Sequence, residues 1–99
     1  MEIKKELNGD VLVISLSGRL DAVTSQDLDK VLSSSLDGIK SLVFDLAELS
    51  YIASAGLRTL LVAQKRMKKQ GEMRLRHVGK EVKDVLDMTG FIDFLTIEE

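Results

Sequence analysis

In Tyr51-Ile52-Ala53-Ser54-Ala55-Gly56-Leu57 a single hydroxyl stands between two alanines, where an apolar run ends and a helical repeat begins. A hydroxyl at a helix start has two uses. It caps the helix by accepting a backbone N–H two or three residues on. Alternatively it accepts a phosphoryl group, because open N–H groups and the positive end of the helix dipole favour an anion there. Both uses stay open for Ser54. Other candidates carry less. Asp45 interrupts the apolar run Val43-Phe44-Asp45-Leu46, where a carboxylate more often holds a following loop than works as an acid or base, which needs a partner group. His77 is the only histidine, on a strand that carries Arg74 and Arg76, and nothing near it has metal-ligand spacing. Ser54 lacks a G-x-S-x-G setting, and no GxxxxGK[ST] loop occurs. These residues imply no enzyme, no cofactor and no metal. A small enzyme or ligand-binding domain would need a deep pocket around Asp45 and His77.

Placing Ser54 takes a strand before it and a helix after it. Ile3 and Leu7 share one face of an alternating run, Asn8-Gly9 is a tight-turn signal, and VLVISLS follows as a denser strand, so the chain opens as an antiparallel hairpin. Leu28, Val31, Leu32 and Leu36 then recur with helical spacing, with Thr24 and Asp27 as a capping arrangement and Gly38 as the stop. SLVFDL reads as a short strand covered on both faces. The helix after Ser54 runs to about Gln70, with Leu57, Leu60, Leu61, Ala63 and Met67 facing the core. Its end carries Lys65, Arg66, Lys68 and Lys69, read as a solvated face that complements the negative helix terminus rather than as a nucleic-acid site. MRLRHV is a strand with one wet face. KEVKDVLDMTG is a helix on Val82, Val85 and Leu86 that stops at Gly90, and FIDFLTI reads as a last strand. The expected fold class is α/β: a small mixed β-sheet with an N-terminal hairpin followed by right-handed βαβ units, helices mainly on one face.

Composition narrows the function classes. The 99 residues, 44% apolar, fit one domain spanning 1–99. With 14 basic and 16 acidic side chains the net charge is −2, which argues against direct nucleic-acid binding. No apolar run approaches the roughly 20 residues of a membrane span. MEIKKELNGD carries charges where a signal peptide needs an apolar core. The absence of cysteine excludes disulfides and thiolate metal sites and suits a reducing cytoplasm, the expected location.

The stretch LVFDLAELSYIASAGLRTLL resembles the central signature of STAS domains, the anti-sigma-factor antagonist family. There a hydrophobic strand ending in Asp leads through a short loop to a D-S-[ST]-G-L helix start. Upstream, GRLDAVTS, residues 18–25, is similar to the family's G-x-L-D-x-x-[TS], and the element order matches over nearly the whole chain. The resemblance implies a non-enzymatic regulatory module that binds an anti-sigma factor of the serine-kinase type and so frees the sigma factor. The kinase then phosphorylates a serine at the start of the second helix. This sequence departs from the pattern: Ala53 replaces the Asp, and Ala55 stands at the usual phospho-acceptor position, so Ser54 is the surviving hydroxyl. The alternative is a STAS interaction or scaffold module with no phosphate control.

A phosphate on Ser54 would add about −1.5 to −2 charge at a docking surface without unfolding the helix. Ser54, Arg58 and Val62 lie four apart on one stripe, so Arg58 can approach such a phosphate and Val62 is a partly exposed apolar neighbour. Gly56 either permits close approach of a partner or fits tight helix–sheet packing. Asp21 is a loop or capping acid that the resemblance can place near the second-helix start. The partner-binding expectation is therefore Asp21, Ser54, Gly56, Arg58 and Val62, with Ser54 as the phosphorylation candidate.

Overall fold

The computed structural model describes residues 1–98. In chain order it contains β1 (Glu2–Asn8), β2 (Val11–Leu20), α1 (Thr24–Ser35), β3 (Ser41–Ile52), α2 (Ser54–Lys68), β4 (Glu72–Arg76) and α3 (Lys80–Thr89), followed by a 3-10 turn at Phe91–Asp93. The strands form one sheet in the order β1-β2-β3-β4. β1 pairs antiparallel with β2, while β2–β3 and β3–β4 are parallel. The hairpin turns where Gly9 takes φ +65°, a conformation open to glycine at little cost.

Register explains why the helices share a face. Leu12 pairs with Leu42 and Ile14 with Phe44; Leu42 pairs in turn with Met73 and Phe44 with Leu75. All point one way, since side chains alternate along a strand. They form a single buried cluster with Leu28, Leu32 and Leu36 of the α1 segment, Leu57, Leu60, Ala63 and Met67 of α2, and Val82 and Leu86 of α3. The opposite face carries Ser15, Asp45, Arg74 and Arg76 around Val13 and Val43, so the mixed α/β fold has its helices on one side, as the alternation of the strands implies.

Two boundaries differ from expectation. β3 runs to Ile52 rather than ending near Leu46. The register with β2 slips between Ser15 and Ser17 and again between Gly18 and Arg19, each time with one extra residue in β3. These bulges move the buried positions from 42, 44 and 46 to 49 and 52. The last strand does not form. Gly90 closes α3 in the left-handed conformation, φ +79°, as its position predicts. The chain then coils through the 3-10 turn, with the Phe94 N–H donating to the Phe91 carbonyl. Leu95 drops into the core, and Ile97 makes only an isolated parallel bridge to Leu75. The apolar residues of FIDFLTI pack around a turn instead of alternating along a strand.

Candidate functional site

The parallel strands β2 and β3 end together at the Leu20–Ile52 pair, and the Ala53 N–H donates to the Leu20 carbonyl at 2.9 Å. The Asp21 loop and the start of α2 are therefore neighbours, as the resemblance implies. Ala53 occupies the N-cap position of α2 in extended backbone, with no side-chain cap bond, and Ser54 is the first helical residue. This corrects the capping reading of Ser54. A residue in the first turn is already past the position from which a hydroxyl reaches forward to the open N–H groups. Ser54 is exposed, whereas Ala55 is half-buried toward α1, where its carbonyl accepts the Thr59 hydroxyl at 3.1 Å. Of the two positions that carry hydroxyls in the family signature, the one that keeps its oxygen here is the outward one.

The remaining candidates divide. Arg58 is exposed, and Val62 is 62% exposed one turn further on. Gly56 is buried: a Cβ there would lie 2.7 Å from Leu20 Cγ and 3.0 Å from Ile52 Cγ1, so helix–sheet packing accounts for it. Asp21 is a cap. Its Oδ1 accepts the N–H groups of Val23 at 3.1 Å and Thr24 at 3.0 Å, while Thr24 Oγ1 accepts the Asp21 N–H at 2.9 Å and donates to the Arg19 carbonyl at 2.7 Å. This reciprocal arrangement lies three residues upstream of the expected Thr24–Asp27 one. The Thr24 N–H is the largest influence on the Asp21 carboxyl. With the Thr24 hydroxyl, the Val23 N–H and Arg19, it holds the group below its ordinary value against the opposing effect of desolvation.

Sequence reasoning missed other surface groups at this tip. Val23, in the turn that Asp21 caps, is 73% exposed. Arg19 stacks on Tyr51, its guanidinium carbon 4.2 Å from the ring centroid, an arrangement set by the register pairing of those two residues. An apolar residue inside a capped turn was the available signal for Val23. For Arg19 and Tyr51 the bulged register hid it.

A second polar cluster sits on the open face of the sheet. Asp45 accepts from Arg76 Nε at 3.2 Å and the Ala47 N–H at 3.1 Å, and its Oδ1 lies 3.1 Å from His77 Nδ1. Burial pushes the Asp45 carboxyl up, but the Ala47 N–H, His77 and Arg76 together outweigh it, and the group lies below its ordinary value. Equal register on β3 and β4 brings Asp45 and Arg76 together, which no single-strand reading reveals. The hollows beside them are separate: one is lined by Asp45, the other by His77. Neither of these two hollows is lined by both Asp45 and His77. Among the described residues no group of three or more His, Cys, Asp or Glu side chains converges to hold a metal. No described helix is long and apolar enough to cross a membrane.

Both carboxylates are depressed in the folded state, so their stabilisation is present above the ordinary value of 3.8 and lost as pH falls through the folded values. The urea midpoint of Asp45→Asn should fall less steeply below about pH 4 than that of the unaltered protein. Parallel pH profiles would remove Asp45 from the acid response.

Fold and site together define a small mixed-sheet α/β domain with its distinctive polar group on an exposed helix tip. The STAS domain model matches residues 2–99, and the chain belongs to the STAS domain family. It is 29% identical over 99 residues to BtrV of Bordetella bronchiseptica, provisionally named an anti-sigma factor antagonist, covering 98% of this chain and 85% of that one. It is 30% identical over 100 residues to an anti-sigma F factor antagonist of Paenibacillus polymyxa, covering 98% and 86%. In fold it is similar to the crystal structure of an anti-sigma factor antagonist from Mycobacterium paratuberculosis, with a TM-score of 0.87 at 24% identity, covering 97% and 83%.

Proposed function

We propose that this protein is an anti-sigma-factor antagonist that acts by binding rather than by catalysis. Its partner is an anti-sigma factor of the serine-kinase type in the cytoplasm, docked on the Asp21 loop and the start of α2. Docking releases the sigma factor, and phosphorylation of Ser54 by the same kinase ends it. The observation that carries this reading is an exposed serine at the first position of α2, free of any capping role. Arg58 and Val62 continue the same stripe, and the names of the relatives support an anti-sigma factor as the partner.

Incubation of the purified chain with its anti-sigma kinase and ATP, followed by phosphosite mapping, tests the switch. One phosphate on Ser54, with loss of the complex, is the expected result. A second reading rests on Ala53 and Ala55, which replace the usual acid and acceptor of the family signature. It describes a binding module without phosphate control, and a stable complex with no phosphate on Ser54 would favour it.

A further inference from the structure

From Ser54 to Lys69 the chain carries Arg58, Lys65, Arg66, Lys68 and Lys69 and not one carboxylate. That is a charge of +5 in a chain whose net charge is −2, leaving −7 for the rest. Helical phase sets Arg58, Val62, Lys65 and Lys69 on one stripe that continues from Ser54. All four are exposed, and among the described residues the ion pairing of this segment is confined to Arg66 with Asp37, at 2.7 Å.

The stripe borders a furrow between α1 and α2. Two adjoining hollows make it, sharing Asp29, Thr59 and Val62; the longer apolar stretch adds Leu32, Leu36 and Ala63. On the α1 side Asp37 is paired with Arg66 at 2.7 Å, while Asp29, which lines both hollows, accepts only the neutral Thr59 hydroxyl at 2.8 Å. The furrow therefore offers an apolar floor with a cationic bank on the α2 side, Arg58 and Lys65, facing Asp29 on the α1 side, so an acidic occupant must turn its carboxylates toward α2.

We propose that this furrow docks an acidic amphipathic helix of the partner protein. Its apolar side chains lie on Val62 and the edges of Leu32 and Ala63, and its carboxylates face Arg58 and Lys65. Helix-in-groove recognition needs this combination of an apolar seat and flanking charge of the opposite sign. The inference rests on the reading of the chain as a regulatory binding module, and it adds a mechanism to it. Ser54 heads the stripe one turn from Arg58, so a phosphate there would engage Arg58 and repel the incoming carboxylates, weakening docking with no change of fold.

The test is an amide-shift titration of the isotope-labelled full chain with a helical peptide that bears leucines along one face and glutamates on the other. A twin peptide has lysine in place of each glutamate. The glutamate peptide should shift the amides of Leu32, Arg58, Val62 and Lys65, with the lysine twin about tenfold weaker or worse. In an Arg58→Glu, Lys65→Glu variant that order should reverse. Equal binding of the two peptides, or shifts that avoid the furrow, would overturn the proposal. Binding of a Lys65→Glu variant to the anti-sigma factor separates the two readings, because Lys65 borders the furrow but lies outside the helix tip. Unchanged affinity in the variant, with sensitivity to Ser54→Asp retained, sinks the furrow and keeps the tip. A furrow that binds as described beside indifference to Ser54→Asp sinks the phosphate switch alone.

Discussion

Ser54→Asp should weaken binding of the anti-sigma factor by about 100-fold, because desolvating a carboxylate in an interface costs several kcal/mol, of which Arg58 one turn away returns only a part. The same substitution should leave thermal stability unchanged or slightly raised. Ser54 is the first residue of α2, and an acidic side chain in a first turn is favoured by roughly 0.3–1 kcal/mol. That combination is diagnostic. A substitution that damaged the fold would lower both affinity and melting temperature, whereas a surface charge lowers affinity alone. Ser54→Ala should bind as the unaltered protein does, since the hydroxyl has no capping bond to lose. Affinity measured by calorimetry beside a melting curve decides it. Should Ser54→Asp leave affinity intact, the protein would be reduced to a module without phosphate control.

Gly71→Ala should destabilise the protein by about 3 kcal/mol, near the upper end of ordinary overpacking costs. Gly71 lies at the surface between α2 and β4, where a stop residue draws little notice. A Cβ there would stand 1.9 Å from the Lys40 carbonyl oxygen and 2.6 Å from its carbon. These are backbone atoms, so no rotamer change relieves the clash. The Lys40 carbonyl also accepts the Glu72 N–H at 2.9 Å, the bond that starts the β3–β4 ladder. Moving one strand away from the other to admit a methyl group would therefore loosen the edge of the sheet. A chain of this size holds only about 5–15 kcal/mol in all, so the loss should lower the melting temperature by about 15 °C. Urea unfolding with an unchanged slope and a displaced midpoint is the expected signature; an unmoved midpoint would mean that the two backbones are not in contact.

The elements that the sequence discloses are those whose periodicity is unbroken. Leu28, Leu32 and Leu36 repeat at helical spacing, as do Leu57, Leu60, Ala63 and Met67, and both sets lie in the core. Alternation in the hairpin and in β4 places the helices on one face of the sheet. β3 is legible only as far as its first bulge. Beyond it Ala47, Glu48 and Ser50 are exposed while Leu49 and Ile52 are buried, a spacing of three that belongs to neither regular period. The α1 cap reads three residues late because Thr24 resembles a cap residue itself, and only the hydrogen bonds assign the acceptor to Asp21. The contact of Asp45 with His77 joins residues 32 positions apart, and it depends on strand register that composition does not encode. At the site, the hydroxyl and its stripe are readable from helical phase, whereas the burial of Gly56 depends on Leu20 and Ile52, which reach it through the fold.

Docking on the helix tip is most directly tested by amide-shift mapping of the labelled chain against its unlabelled anti-sigma factor. The largest changes should gather at residues 20–24 and 53–62, where the ends of β2 and β3 deliver the starts of α1 and α2. Changes confined to β1 and to the open-face residues Asp45, Arg74 and Arg76, with Ser54 and its neighbours silent, would contradict it.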